Sequence, residues 1–427
     1  MTRWFNWLLG ALLLCGVLGS FWRLSFPNEL VFDERYHVPA ARAVLQGDWR
    51  IFDWWQPPLA ADGSYADWLH PPLFKYFQAG SIAIFGDGPI GWRFPSALAG
   101  LAIIWLGYLL ATQLSGQRAG WIAATLLALS GLRLVQSRTG MNDAVVTAFI
   151  LAAAWSYAKT IFSVKKITPN RGQWLQIGLW LGLAVATKWT GLLAVLAVVL
   201  LQSYYQFRLW QNTRAKKRKA IWTWWPWKAL CVLFVPAVIF ILSYLPLLWS
   251  GRDLNHLVTL QQKIWQYHLQ RDHAHSEQST PVAWLLNLQP VTYWKASVTP
   301  IHLRAYISTL EQPMLVILLL AALAGVAVWW KKGINSQLKF LSWWFVLLWL
   351  PFIFSPRILF HYHFLPAEMF GIVLVAVVLA KVKTQVWLNW LIAAVGVCWL
   401  IFYPHWVGLP VPFLLVERVY WLLPSWP

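Results

Sequence analysis

Asp33 and Glu34 stand side by side in "VFDERYH" (31–37), just past the first long apolar run of the chain. A carboxylate placed there can take a proton from a hydroxyl, pair with a cation, or favour a helix start, where negative charge suits the dipole. Neighbouring residues of a helix point about 100° apart, so one acid would act and the other would hold structure. Further on, "DWLHPPLFKYF" (67–77) offers His70 and Lys75. The residue before a proline avoids the α region, so His70 stands on an extended or turning backbone. A proline turn before an interfacial helix with a snorkelling lysine accounts for the same pattern. Arg93 in "GWRFPSALAG", Arg138 and Asp143 in "SRTGMND", and Lys188 in "TKWTG" each fall at the end of an apolar run. Singly these are ordinary end residues. Together, beside fixed acids, such cations suit an anionic lipid headgroup. Phosphate fits best, since Arg grips it with a fork and Lys as a point charge.

The elements that must position these side chains are membrane helices. The chain is 59% hydrophobic and 11% charged, where soluble domains carry about 25% charged residues. Candidate spans run over 5–26, 89–112, 119–136, 143–162, 174–187, 189–206, 228–249, 313–330, 340–354, 358–380 and 386–403. Many of the 34 Trp lie at run ends, as at Trp4, Trp22, Trp174 and Trp329, where amphipathic rings favour the interface. The first run follows Arg3, lacks a small-residue cleavage site and reads as a retained anchor. Cys15, Cys231 and Cys398 lie inside apolar runs without metal spacing.

Charge sets the orientation. With eleven spans and a cytoplasmic N-terminus, the inner segments and their flanks hold more than half of the 34 Lys and Arg and none of the 15 acids. Reading 174–206 as one helix would need ~50 Å, and it would place "TRAKKRK" (213–219) outside, against the positive-inside rule. The net charge of +19 therefore marks orientation and lipid headgroups rather than nucleic acid. The expectation is an all-α polytopic membrane protein forming one domain over 1–427, with its C-terminus outside. Outer loops fall at 27–88, carrying interfacial helices, and at 250–312.

The ordered set "FDE", "HPPLFK", "WRFPSALAG", "RTGMND" and "GLWLGLAVATKWTGLL" resembles the protein O-mannosyltransferases, multi-spanning glycosyltransferases of the GT-C type. "WQYHLQRDHAHSEQS", "SPRILFHYHFLPAEMF" and the closing "FYPHWVGLPVP" extend the resemblance over nearly the whole chain. The loop at 250–312 cannot hold the β-trefoil MIR domain of eukaryotic members, which points to a bacterial type. Where the family's His-Pro-Tyr-like sequence would fall, this chain reads "HAHSEQST", and His361 and His363 replace more usual residues without an assigned role.

The resemblance implies transfer of mannose from a polyprenyl-phosphate or dolichyl-phosphate donor to Ser/Thr hydroxyls of a protein, at the extracytoplasmic side of the plasma membrane. Asp33 is then the base, Glu34 its support, and Arg93, Lys188 and, third, Arg138 the phosphate ligands. Asp143 would pair with Arg138 or Lys188. His70, Lys75, His268, His273 and Arg357 would bind substrate or hold structure. Attack opposite the phosphate gives a single displacement with inversion, and a phosphate leaving group requires no general acid. No cofactor is called for; "HAH" beside Glu277 is the one stretch with ligand types for a divalent metal. Two rivals share parts of this reading. A GT-C transferase acting on a lipid or glycan would use the same donor type. A transporter would instead bury ionisable residues at the midplane in repeated halves.

Overall fold

A computed structural model of the 427-residue chain describes residues 3–58, 63, 65–162, 170–212, 225–269, 275–298, 302–330, 333–420, 423 and 426. The chain begins with α1 (Arg3–Phe21), then α2 (Glu34–Leu45) and α3 (Leu73–Phe85) in the first loop. There follow α4 (Pro89–Ser115), α5 (Gln117–Ala128), α6 (Gly131–Arg138), α7 (Asp143–Phe162), α8 (Arg171–Thr187) and α9 (Gly191–Gln211). The second half carries α10 (Trp225–Ser243), α11 (Leu254–Leu269), α12 (Pro313–Trp330), α13 (Ser336–Trp349), α14 (Leu365–Leu379) and α15 (Gln385–Trp406).

Among the described residues, nine helices are long and apolar enough to cross a membrane, or ten if the bent pair α5–α6 is one span. The chain is thus a multi-pass membrane protein. The eleven-span expectation is not met by length alone at α8, whose 17 residues reach ~26 Å against a ~30 Å hydrocarbon core. The 61° bend between α5 and α6 has an identifiable cause. Ser130 caps α6 by accepting from the Arg133 N–H at 3.1 Å. The buried Arg133 guanidinium turns back to the carbonyls of Leu127 (2.9 Å) and Ala128 (2.7 Å), which end α5. Both frayed ends are satisfied within the bilayer-facing bundle, as a broken helix there requires.

Helix α4 packs against α5 and α7, and α14 is enclosed by α13, α5, α12 and α4. Trp344 of α13 stacks on Phe370 of α14 at 5.1 Å. The all-α expectation needs one correction. Strands β1 (Thr292–Val298), β2 (Leu303–Ser308) and β3 (Val411–Pro412) form an antiparallel sheet in the order β1-β2-β3. A hairpin in the loop at 250–312 thereby takes a third strand from beyond α15, with Leu303 opposite Pro412 and Arg304 opposite Val411. Two short loop strands leave no long apolar period to read.

Candidate active site

The site is built on the start of α2. Phe32 adopts φ 46°, a left-handed conformation uncommon outside glycine, and its ring stacks on Tyr293 at 4.3 Å. The next two residues then diverge. Glu34 turns inward and is fully buried, taking Arg93 Nε at 2.7 Å on Oε1 and Arg93 Nη2 at 3.0 Å on Oε2. Its oxygens also accept the backbone N–H of Gly140 (2.7 Å) and of Val31 (3.0 Å). Gly140 suits this contact, because a Cβ there would come within 2.7 Å of Gln78 Nε2 and 2.8 Å of the Trp92 carbonyl. One carboxylate thus joins the first loop, α4 and the α6–α7 turn.

Arg93 spends its remaining donors on the carbonyls of Leu24 (3.1 Å), Pro27 (2.9 Å) and Glu29 (3.0 Å). Arg138 gives its own to the carbonyls of Gly19, Ser20, Trp22 and Arg23, at 2.7 to 3.1 Å, and so closes the C-terminal end of α1. Both side chains are buried and their guanidinium donors serve protein acceptors, so the structure favours a structural role for these two arginines over the expected phosphate contact.

Asp33 contrasts with its neighbour. It stands at the N-cap of α2 without a side-chain cap bond, partly exposed, and among the described residues its carboxylate has no hydrogen-bond partner. Crowding by protein lifts its carboxyl to about 6; His37 and Lys188 pull it down, while Asp143 and Asp67 push it up. Lys188 sits at the break between α8 and α9, with Nζ 2.7 Å from Asp143 Oδ1 and 5.5 Å from the centre of the Tyr362 ring. Asp143 Oδ2 is buried with no hydrogen-bond partner among the described residues.

The Pro turn supplies a second polar cluster. Asp67 accepts from the Leu69 N–H (3.0 Å) and pairs with His70 Nδ1 (2.9 Å) through Oδ1. Lys75, in the first turn of α3, reaches back to Asp67 Oδ2 (2.7 Å) and the His70 carbonyl (2.8 Å). Lys75 is buried by this pairing, which favours the structural of the two roles expected of it. His37 Nδ1 comes to 3.2 Å from Asp67 Oδ2. Nothing in "DWLHPP" marked Asp67 beyond its place before a turn. His37, one helical turn after Asp33, carried the available signal. His37, Asp67 and His70 bring ligand atoms within 4.8 Å of one another, so a metal would find donors here, although the Lys75 ammonium already neutralises Asp67.

Arg357 is partly exposed and makes one described hydrogen bond, from Nε to the Ile358 carbonyl at 3.3 Å. Its two Nη groups have no described acceptor. His268, at the end of α11, is held down to about 3 by burial together with the charges of Arg357, His70 and Lys188. These side chains therefore share one neighbourhood. His273 lies outside the described residues. His275 Nδ1 accepts from the Glu277 N–H, and Glu277 in turn accepts from the Thr292 N–H, both at 3.1 Å. His361 pairs with Thr309 Oγ1 at 3.2 Å, and His363 with the backbone of Phe360.

Two apolar grooves flank the cluster. One, of about 530 Å³, runs between α3, α4 and α7 past Tyr76, Phe94 and Val145. The other, of about 650 Å³, runs from Trp189 along α9, α10 and α11.

The architecture places the chain among polytopic membrane proteins of the GT-C fold. The S. cerevisiae protein O-mannosyltransferase Pmt1-Pmt2 complex bound to the sugar donor superposes with a TM-score of 0.82, at 14% identity, covering 100% of this chain and 93% of that one. ArnT from Cupriavidus metallidurans bound to undecaprenyl phosphate gives 0.62 at 15% identity, covering 90% and 61%. Residues 10–250 match the family model for dolichyl-phosphate-mannose-protein mannosyltransferase, and 253–426 that for the C-terminal four TMM region of protein-O-mannosyltransferase. The chain belongs to this family. The polyprenol-phosphate-mannose–protein mannosyltransferase of Corynebacterium glutamicum is 27% identical over 62% of this chain and 60% of its own length. The Mycobacterium tuberculosis protein of that description is 26% identical over 65% and 59%. The chain therefore spans about 60% of the length of these curated relatives.

Proposed function

We propose that this chain is an integral-membrane mannosyltransferase that moves mannose from a polyprenyl-phosphate donor to Ser/Thr hydroxyls of proteins. It works as a single domain of eleven spans, on the extracytoplasmic side of the plasma membrane. The observation that carries the reading is the unpartnered Asp33 carboxylate, set among Lys188, Asp143 and His37. A hydroxyl is a weak nucleophile, and a free carboxylate within ~3 Å takes its proton as it attacks the anomeric carbon. The C–O bond to the acceptor forms as the bond to phosphate breaks, with inversion of a β-linked donor to an α-linked product. The electron pair leaves on the lipid phosphate. Lys188 and the free Nη groups of Arg357 face that developing charge, where preorganised cations act most strongly. The Trp189 groove begins beside Lys188 and takes the polyprenyl tail.

The test is transfer by the purified full chain from a panel of polyprenyl-phosphate sugars to a Ser/Thr-rich peptide, with products read by mass. Mannosyl peptide that disappears with Asp33→Asn supports the reading. Transfer to lipid or glycan alone, or full activity in that variant, would reject it.

A further inference from the structure

Asp67 is almost wholly buried and ionised. Its ion pair with the Lys75 ammonium, 2.7 Å across, holds it as the carboxylate. Its two oxygens are divided. Oδ2 neutralises Lys75, while Oδ1 is shared by the Leu69 N–H and His70 Nδ1. An anionic carboxylate at 2.9 Å accepts, so Nδ1 carries the hydrogen. With Nδ1 engaged in this way, Nε2, the nitrogen that makes no described hydrogen bond, is the one left to accept. His70 is also the member that remains open: its side chain is 20% exposed, against 4% for Asp67 and 1% for Lys75.

The place of that lone pair follows from its neighbours. Lys188 is close enough to His70 for its charge to act on the ring, and the His37 ring is centred 5.3 Å away. His37 stands one helical turn after Asp33, which caps the same helix. On the proposed function, which this step takes as its premise, phosphate rests at Lys188 and the attacking hydroxyl at Asp33. The sugar ring, bonded to one and approached from the other, occupies the interval that His70 borders.

We infer that His70 Nε2 accepts a hydrogen bond from a hydroxyl of the transferred sugar, and that Asp67 is the positioning residue that fixes the ring for it. Lys75 is the counter-ion that lets Asp67 do this without charging the imidazole. A site built to pair with a substrate hydroxyl rejects the analogue lacking it strongly, by on the order of 10⁴ at best, because a buried acceptor is then left unpaired.

The experiment measures binding of the detergent-solubilised full chain to polyprenyl-phosphate mannose, to its monodeoxy analogues, and to polyprenyl phosphate without sugar. Wild type should prefer the mannosyl lipid over the bare phosphate and lose at least tenfold in affinity for one deoxy analogue. His70→Phe should bind the parent and that analogue equally, while keeping its affinity for bare polyprenyl phosphate; His70→Gln, with an amide oxygen, should restore part of the discrimination. Asp67→Asn should weaken the same single discrimination, and ¹⁵N-histidine spectra should show His70 leaving the Nδ1–H tautomer. Uniform loss across all analogues in His70→Phe, unchanged discrimination, or a stoichiometric metal bound through His70 would each overturn the inference. Failure of the mannosyltransferase reading has a different signature: no peptide product from any donor, with sugar-dependent binding intact.

Discussion

Two adjacent acids with opposite surroundings give the sharpest expectations at the scale of residues. As the proposed base, Asp33 must be ionised to accept a proton, and crowding lifts its carboxyl to about 6. Below that pH the base is protonated and silent; above it the carboxylate is available. kcat/KM for peptide mannosylation should therefore climb about tenfold per unit below pH 6 and level off above it, as a pH–rate profile will show. Asp33→Asn should remove activity and leave Tm near the wild-type value, since the carboxylate has no hydrogen bond to lose. Arg93→Ala should do the reverse. It strands Glu34 in the interior, and breaking such a pair costs about 3–5 kcal/mol. Thermal unfolding should fall steeply, while the folded fraction keeps its donor KM; weakened donor binding with unchanged Tm would return Arg93 to the phosphate. Both residues were visible in the sequence as charges at a membrane boundary. The direction in which Arg93 points was not, because position along the chain places a guanidinium at a level without saying which carbonyls surround it. Asp67 escaped for a related reason: an acid three residues before His-Pro-Pro reads as turn chemistry, and only the reach of Lys75 from α3 shows what it holds.

Between elements, the break that splits α5 from α6 is the feature that most depends on one side chain. Glu311 accepts from Ser130 Oγ (2.7 Å) and from the N–H groups of Gly131 (2.9 Å) and Leu132 (3.1 Å), the first turn of α6. Removing that acceptor leaves buried donors unpaired, at about 1–3 kcal/mol each. Glu311→Ala should lower Tm markedly, and Glu311→Gln, which keeps one carbonyl oxygen, should fall between it and wild type. An equal Tm for all three proteins would show that the cap carries no stability. The apolar run at 119–136 predicted an element there correctly, because burial in a bundle demands hydrophobic residues whatever the helix does. The two helices together still read as one apolar run, however, so hydropathy did not place the 61° turn, although α6 carries Arg133, Gln136 and Arg138. The sheet was equally silent: β3 has two residues, and its pairing joins segments more than a hundred positions apart, a separation no local pattern encodes.

For the whole molecule, the open quantity is how many times the chain crosses the bilayer, and α8 decides it. Its 17 residues are short for a full crossing, yet the structure breaks the chain at Lys188 and starts α9 at Gly191, so the two helices are separate elements. If each crosses, the basic stretch 213–219 lies in the cytoplasm, where anionic lipid favours it. If α8 and α9 made one crossing between them, everything downstream would invert, and α11 with His268 would leave the side that holds Asp33. That arrangement conflicts with the shared neighbourhood of His268, Lys188 and His70. Single cysteines at the exposed positions Gln56, Asn255 and Ser336, in a background with Cys15, Cys231 and Cys398 replaced by alanine, separate the two cases. Eleven crossings require an impermeant maleimide added outside intact cells to label Gln56→Cys and Asn255→Cys but not Ser336→Cys. Labelling of Gln56→Cys and Ser336→Cys without Asn255→Cys would invert the second half, and with it remove Arg357 from the face that holds Asp33.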